Sequence, residues 1–525
     1  MTNKTTRKRQ DEERERSGPP ASKADEAGAG AGKADGAGAE AETKAEAEAE
    51  TEAEAETKAE AEEISAELRD RQIDIEVEGK GQKRKLIVSL AWPALAENLL
   101  ASLTSMADMI MVGSLGAYAI AAVGLITQPK YIMMAAFLAM NIGSTALVAQ
   151  NKGARNPNGA NSTLNQALLL TVAMTAIICT TLLFLAEPLL RLVAGGGLSE
   201  LIITEALVYY RIQIYGFITV SLTFAINAAL RGAGNTRATF VNNAVANIVN
   251  VALNYCLIGG NLGFPRMGVA GASLATVIGQ FVALVMALCV VLGGKQYIRL
   301  IIRKVLKLDW PTMKRILNIG IPSFIEQVFM RVGAFWFTTI ATALGDIAYA
   351  AHMVAMTVQM LSFTTGMAFG TAATTLVGQS IGRKRIDLSK EYVRMTQNLG
   401  LIVSLALAAL MYACGRFVAG WYSSDTAIIA LAADMLKIVA IANPIANARS
   451  VYQSALRGAG DARFVAVATF VGMLLVRPLA GLLLVNVFNM GLTGVWIALS
   501  SDFVTTCFIT MIRYKRGKWT QIRIL

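Results

Sequence analysis

The sequence has few charged residues, one histidine and no clustered cysteines, and each shortage excludes a class of protein. Charged residues make up only 16% of the 525 residues, whereas soluble globular proteins contain about a quarter. The single histidine excludes most catalytic triads and metal sites that depend on histidine. The five cysteines stand singly, so neither a disulfide framework nor a zinc site is indicated. Because no Gly-Lys-Ser/Thr phosphate loop is present either, we expect neither an enzyme nor an ATP-driven pump.

The charges that are present are unevenly distributed. Residues 1–85 hold 23 of the 37 acidic and 16 of the 48 basic residues, so this segment carries −7 and the rest of the chain carries +18. The stretch 39–63 contains only alanine, glutamate, threonine and lysine, and such a composition cannot bury enough surface to fold. We therefore predict a disordered, charged cytoplasmic tail over 1–85. We expect that removal of residues 2–78 leaves membrane insertion and activity nearly unchanged.

The rest of the chain divides into apolar stretches that are long enough to cross a membrane, which requires about 20 residues at a rise of 1.5 Å each. Together they predict an all-α polytopic membrane protein with twelve transmembrane helices. The predicted spans are 86–113, 118–149, 163–187, 200–230, 238–258, 268–293, 316–344, 348–378, 392–413, 428–456, 464–486 and 491–512.

Basic residues predict the orientation of these spans. One set of flanks carries 27 lysines and arginines, and the opposite loops carry three, Arg191, Arg266 and Arg416. Because basic loops remain in the cytoplasm, we predict that both termini are cytoplasmic. Segment 294–315 is then a cytoplasmic linker, and 513–525 is a basic cytoplasmic C-terminus. The bases lie where a membrane protein needs them, so nucleic-acid binding is not expected.

An internal repeat divides the apolar part of the chain into two halves. Residues 92–123 align without gaps on 321–352 at an offset of 229, and "ALRGAGNTR" later aligns with "ALRGAGDAR" at an offset of 226. Each half has six spans, an even number, so the halves run parallel. We predict two six-helix lobes, 86–293 and 316–512, around a central cleft. Parallel repeats with a site between them are one transporter architecture.

Polar side chains inside spans are costly in lipid and are commonly functional. Asp108 lies in the first span, Thr276 in the sixth, and the fifth span carries a stripe of amides at helical spacing, Asn243, Asn247, Asn250 and Asn254. A carboxylate with amide and hydroxyl oxygens suits Na⁺, and a buried carboxylate can equally carry H⁺. The alternative is that these groups only hold helices together. Asp108 aligns with Phe337 in the repeat, so the cluster occurs in one half only, which favours ion coupling.

Other polar residues in the spans fit more than one role. Glu97 and Glu326 occur at equivalent positions of both halves, which favours a structural or gating role, although an acid in the cleft can also bind a cationic substrate. His352, as a lone histidine, is more typical of a hydrogen-bonded packing residue than of a proton relay. Lys130 is, with Glu97, Glu326 and His352, a candidate residue of the substrate cleft or gate. Lys130 and Arg331 can also pair with acids or bind an anionic group.

These residues resemble the multidrug and toxic compound extrusion (MATE) family. The matching elements are "ADMIMVGSLG" with "IAAVGL", "LGDIAYAAH", "LVAQNKG" with "LVGQSIG", and the paired "LRGAG" turns, over about residues 86–512. The resemblance implies two six-helix bundles around a cleft that alternates its opening, driven by entry of Na⁺ or H⁺. It also implies that Asp108, Asn250, Asn254 and Thr276 match the first-lobe cation site of the family. The branch with the best-defined Na⁺ site has aspartate where this chain has Asn254.

We therefore predict a secondary active exporter in the cell membrane that moves organic, cationic or amphiphilic compounds and is coupled to Na⁺ or H⁺, without another cofactor. Its expected partners are a small-molecule substrate and membrane lipid, and it is expected to act as a monomer. The alternative is a flippase for lipid-linked oligosaccharides or related amphiphiles, which Lys130 and Arg331 would favour. A receptor or passive channel would not need Asp108.

The predicted topology can be tested by cysteine labelling in a cysteine-free background. A membrane-impermeant maleimide should label cysteines in loops 187–199 and 414–427 from outside, because these loops carry few bases. Cysteines within 299–307 should react only after the membrane is permeabilised. Labelling of that segment from outside would contradict the predicted orientation.

Overall fold

The computed structural model describes residues 75–194, 199–294, 296–301, 305 and 307–522. Within these residues the chain forms twelve long helices and no strand, with one helix at each predicted span. The predicted all-α fold class is confirmed. The helices are α1 (Lys80–Gly113), α2 (Ala117–Gly153), α3 (Pro157–Ala194), α4 (Glu200–Gly232), α5 (Thr236–Gly259), α6 (Gly268–Leu292), α7 (Trp310–Thr342), α8 (Asp346–Gly382), α9 (Ile386–Ala419), α10 (Thr426–Gly458), α11 (Ala462–Val487) and α12 (Gly491–Lys515).

Two of these helices depart from a regular α-helix. Helix α2 is interrupted at Ile126, and α11 contains two π-helical segments, Phe470–Val476 and Leu483–Val487. Among the described helices, eleven are long and apolar enough to span a membrane. The exception is α7, whose sequence includes Glu326 and Arg331. The cost of placing Glu326 in a membrane is reduced by an ion pair that is described below.

Helix α7 begins earlier than predicted, and the inter-lobe linker is correspondingly shorter. Asp309 caps α7, since its carboxylate accepts a hydrogen bond from the backbone N–H of Thr312 at 3.1 Å. The hydroxyl of Ser162 in α3 donates to the same carboxylate at 2.6 Å. The predicted linker 294–315 therefore ends at Asp309, where it is fixed to the first lobe. Part of that predicted linker lies outside the described residues.

The residues just before α1 pack against the second lobe. Ile75 is 2% exposed, and its carbonyl oxygen accepts a hydrogen bond from the Tyr392 hydroxyl at 2.5 Å. The Glu76 carboxylate lies 3.4 Å from Arg383 and 3.1 Å from Arg385. The expectation that residues up to 78 have nothing to pack against is therefore wrong. The predicted tail boundary at residue 85 is also wrong, because α1 begins at Lys80; residues 1–74 lie outside the described part.

The two halves contact each other at the end of the bundle that carries the two "LRGAG" turns. The side-chain amide of Gln150 in α2 donates to the carbonyl oxygen of Gly458 at 3.0 Å. Gln379 in α8 donates in the same way to Gly232 at 3.1 Å. The two bonds are equivalent by the repeat, because each joins a glutamine of one lobe to the end of the fourth helix of the other. The lobes are therefore closed on each other at this end.

Glycines allow this close approach. A Cβ at Gly382 would lie 2.0 Å from the carbonyl oxygen of Gln150, and a Cβ at Gly153 would lie 1.9 Å from that of Gln379. Both distances are far below a non-bonded contact, so a larger residue at either glycine cannot fit while the lobes are closed.

Replacing Ile75 with alanine should destabilise the protein, because removing a buried aliphatic side chain costs about 2–5 kcal/mol. The measurement is the rate of thermal inactivation of the full-length protein in detergent. Glu78→Ala, at an exposed neighbouring position, is the matched control and should leave the rate unchanged. Equal rates for Ile75→Ala and the unmodified chain would show that this segment does not dock on the second lobe.

Gly382→Ala should widen the closed end by more than about 1 Å, since non-bonded carbon and oxygen atoms approach to only about 3.3 Å. This change can be measured by electron paramagnetic resonance, as the distance between spin labels at the exposed positions Arg155 and Lys384. Gly124→Ala is the control, because a Cβ there meets nothing within 4 Å. If Gly382→Ala and Gly124→Ala give the same distance distribution, the glycine does not determine closure.

Candidate functional site

The four residues predicted as a cation site lie together where α1, α5 and α6 meet. The Asn254 amide donates to Oδ1 of Asp108 at 2.5 Å. With its nitrogen toward the carboxylate, the Asn250 amide donates to the same oxygen at 2.9 Å. In that orientation its oxygen accepts from the backbone N–H and the hydroxyl of Thr276, both at 3.2 Å. The Asp108 carboxylate thus joins α1 to α5, and Asn250 joins α5 to α6 through Thr276.

The local sequence explains why these side chains converge. Asn250 and Asn254 are four residues apart and share one face of α5. Gly279 allows α6 to approach that face, since a Cβ there would lie 2.8 Å from the carbonyl oxygen of Ala246 and 3.1 Å from Cβ of Asn250. The amide stripe is therefore set directly against α6, where Thr276 is one turn away from Gly279.

The cluster has an oxygen available for a cation. Asn250 and Asn254 are buried, whereas Asp108 and Thr276 are partly exposed. Oδ1 of Asn254 is buried and has no hydrogen-bond partner. An unpartnered amide oxygen beside a carboxylate and a hydroxyl is the kind of oxygen set that a hard cation prefers. The residues present therefore fit a monovalent cation or, on Asp108 alone, a proton.

Two further residues lie near this cluster. Tyr209 of α4 was not predicted; its phenol lies within electrostatic range of Asp108. Lys130 of α2, a candidate for the cleft or gate, also lies within electrostatic range of Asp108. The sequence gives little signal for Tyr209, since a tyrosine in an apolar helix is ordinary.

Glu97 and Glu326 form equivalent ion pairs in the two lobes. Nη1 of Arg231 lies 3.3 Å from Oε1 of Glu97, which also accepts a hydrogen bond from Asn243 at 2.7 Å. Glu326 pairs in the same way with Arg457. Each pair joins the first helix of a lobe to the end of its fourth helix. This geometry favours the structural interpretation of the two glutamates.

His352 lies in an aromatic cluster of the second lobe, away from the Asp108 site. Its ring centroid is 5.0 Å from that of Phe337, 5.7 Å from Trp496 and 6.4 Å from Tyr349. Phe337 is the repeat counterpart of Asp108, so the second lobe has aromatic packing where the first has a carboxylate. Among the residues that the structure describes, no three His, Cys, Asp or Glu side chains come together as metal ligands.

The second lobe contains a buried charged group that was not predicted. Nη2 of Arg477 lies 2.5 Å from Oδ2 of Asp502, and Nη1 of Arg449 lies 3.5 Å from the same oxygen. These residues come from α11, α12 and α10. Arg477 and Asp502 are each a single charge in a predicted span, and Arg449 shares its span with Asp434 and Lys437. These isolated charges are the signal in the sequence, but no spacing pattern connects them.

Comparison with known proteins identifies the family. The MatE family model matches residues 93–256 and 322–482, one segment in each lobe. A probable multidrug resistance protein NorM of Thermotoga maritima is 28% identical over 443 residues, which cover 84% of this chain and 94% of that protein. An uncharacterized transporter, YisQ, of Bacillus subtilis is 26% identical and covers 83% and 95% of the two chains.

Solved structures show the same fold. An outward-facing multidrug resistance MATE family transporter of the MOP superfamily superimposes with a TM-score of 0.78 at 21% identity, covering 84% of this chain and 97% of that one. A MATE structure in the bent conformation gives a TM-score of 0.77 at 22% identity, with 84% and 96% covered. The chain is a multi-pass membrane protein, not an enzyme, and it belongs to the MATE family of transporters.

Proposed function

We propose that this protein exports amphiphilic organic compounds in exchange for a cation that binds at Asp108. The names of its relatives, probable multidrug resistance proteins, support export of organic compounds, and they do not favour the flippase alternative. The observation that carries the proposal is the contact of Asp108 with Asn250 and Asn254. This carboxylate faces amides from a second helix, and the second lobe has no counterpart of it. Such a carboxylate is suited to ion coupling.

A cation at this site changes the packing of the first lobe. A cation or proton on Asp108 weakens the negative charge that holds the amides of Asn250 and Asn254. The contacts between α1 and α5 then depend on whether the ion is bound. An ion can drive the cycle only if it binds one state of the cleft better than the other, and this dependence supplies such a difference.

The charges around the site favour H⁺ over Na⁺ as the coupling ion. The Lys130 ammonium lies within electrostatic range of Asp108, and a positive charge there repels a second cation. Asn254 stands where the Na⁺-dependent branch has an aspartate, so the site has one negative charge fewer with which to hold Na⁺. A proton needs only the single carboxylate.

The closed end of the bundle corresponds to the cytoplasmic side in this proposal. The "LRGAG" turns at this end belong to the basic flanks, and basic flanks remain in the cytoplasm. Both termini are then cytoplasmic, and the Gln150 and Gln379 contacts close the cleft toward the cytoplasm.

Asp108→Asn should abolish ion-driven export, because it removes the charge on which the ion's preference between the two cleft states depends. The measurement is uptake of fluorescent organic cations and zwitterions by proteoliposomes with an imposed pH or Na⁺ gradient. Asp434→Asn, an exposed carboxylate on α10, is the matched control and should transport normally. Glu326→Gln should alter transport without removing its ion dependence.

The same assay identifies the ion. Export should follow a pH gradient in Na⁺-free buffer, and Asn254→Asp should shift its pH or Na⁺ dependence by adding a carboxylate. Export that follows only a Na⁺ gradient would overturn the choice of H⁺ and leave the site intact. Normal transport by Asp108→Asn with unchanged ion dependence would overturn the site itself.

A further inference from the structure

The second lobe contains a buried cluster with one more positive charge than its acids neutralise. Its two acids are Glu326 and Asp502, and its three guanidinium groups belong to Arg449, Arg457 and Arg477. Arg457 pairs with Glu326, and Arg477 pairs with Asp502 at 2.5 Å. Arg449 reaches the Asp502 oxygen that Arg477 already occupies, at 3.5 Å. Arg449 is therefore the group whose charge lacks its own counter-ion in this cluster.

The cluster also has hydrogen-bond donors without acceptors. The side chains of Asp502 and Arg477 are 1% and 6% exposed, and the Nε atoms of Arg449 and Arg477 are buried without a partner. The second oxygen of Asp502 is already used, because it accepts from the Thr506 hydroxyl at 2.9 Å. A buried charge with unmade hydrogen bonds is costly, and an anion at Arg449 would remove both costs.

The backbone around Asp502 is shaped to admit this cluster. Gly472 lies in the π-helical segment Phe470–Val476 of α11, and a Cβ there would lie 2.0 Å from the Thr506 hydroxyl and 2.3 Å from Oδ1 of Asp502. Single π-helical turns inside helices are frequent at functional sites. The Arg449 guanidinium lies 4.6 Å above the ring of Phe503, which fixes its plane.

The repeat shows that this cluster is not part of the shared scaffold. The counterparts of Arg449, Arg477 and Asp502 in the first lobe are Thr223, Val251 and Gly279. The counterpart of Asp108 is Phe337, and the Arg477 guanidinium lies 5.3 Å above that ring. At equivalent places, the first lobe thus presents a carboxylate and the second presents guanidinium groups.

Arg449 is the least enclosed member of the cluster. The crevice between Arg477, Phe337 and Gly333 has no room for a water molecule. The Arg449 side chain is 14% exposed, against 6% for Arg477 and 1% for Asp502. We therefore expect a ligand to approach the cluster from the side of Arg449.

We infer that the second lobe binds an organic carboxylate on Arg449, so that the compounds this protein carries include organic anions and zwitterions. Transport of these compounds rests on the proposed export function, whereas their binding does not. A planar guanidinium suits a carboxylate, because two parallel N–H···O bonds form between them.

The test uses three dansyl probes that differ in charge: dansylglycine, a carboxylate; dansylcadaverine, an ammonium; and neutral dansylamide. Binding to the full-length protein in nanodiscs is followed by dansyl fluorescence without any ion gradient. The unmodified protein should bind dansylglycine about tenfold tighter than dansylcadaverine, and Arg449→Gln should weaken dansylglycine binding by about tenfold or more. Dansylamide should bind both proteins alike. Arg416→Gln, an exposed arginine of the same lobe, is the matched control and should change nothing.

In a second variant, the direction of the change in affinity distinguishes a binding role from structural damage. Asp502→Asn removes the acid that competes for Arg449, so it should tighten dansylglycine binding, whereas general damage would weaken all three probes. If Arg449→Gln does not fold, the ranking of the probes on the unmodified chain and the Asp502→Asn result still decide. Tighter binding of dansylcadaverine, or equal losses for all probes in both variants, would overturn the inference.

The outcome can be separated from that of the proposed function. Arg449-dependent binding of dansylglycine without gradient-driven export in proteoliposomes would contradict the function and support the site. Gradient-driven export of organic cations, with dansylglycine binding unaffected by Arg449→Gln, would support the function and contradict the site.

Discussion

The structure depends on one constraint: a charged or polar group in a membrane-spanning helix must find its partner inside the protein, because lipid supplies none. In each lobe a glutamate of the first helix pairs with an arginine at the end of the fourth, Glu97 with Arg231 and Glu326 with Arg457. Asp108 meets the same requirement with amides instead of a cation. Its hydrogen bonds come from neutral amides, with the Lys130 charge only within electrostatic range, and this arrangement is the basis of the proposed ion coupling.

The internal repeat separates scaffold from function. Pairs that occur in both lobes, such as the two glutamate–arginine pairs, belong to the scaffold that the lobes share. Clusters that occur in one lobe are not part of that shared scaffold. The Asp108 cluster and the Arg449, Arg477 and Asp502 cluster are of this second kind, and they carry opposite charge at equivalent places. The duplicated scaffold thus carries two chemically different polar clusters.

The contact between the lobes is compatible with motion. The closed end is held by two equivalent amide-to-carbonyl bonds, from Gln150 and Gln379, and by glycines that let backbones touch. These bonds use neutral groups, so breaking them exposes no bare charge and both partners can be hydrated when the end opens. The two glutamate–arginine pairs, in contrast, lie within each lobe, and the ion pair that joins the lobes, Lys83 with Glu391 at 2.6 Å, has a partly exposed carboxylate. This distribution favours lobes that move as units.

The sequence by itself determined the twelve helices and the parallel halves, because hydropathy, helical period and the repeat can be read along the chain. The family resemblance implied that Asp108, Asn250 and Asn254 belong to one site, and the structure brings them together. Only the tertiary structure decided which partner each charge takes. Arg477 and Asp502 are 25 residues apart, and the Tyr392 bond to Ile75 spans 317 residues. No local pattern encodes such contacts, since they follow from how helices that are already formed pack against one another. Packing likewise decided that Lys130 lies within electrostatic range of Asp108 and that the residues just before α1 dock on the second lobe.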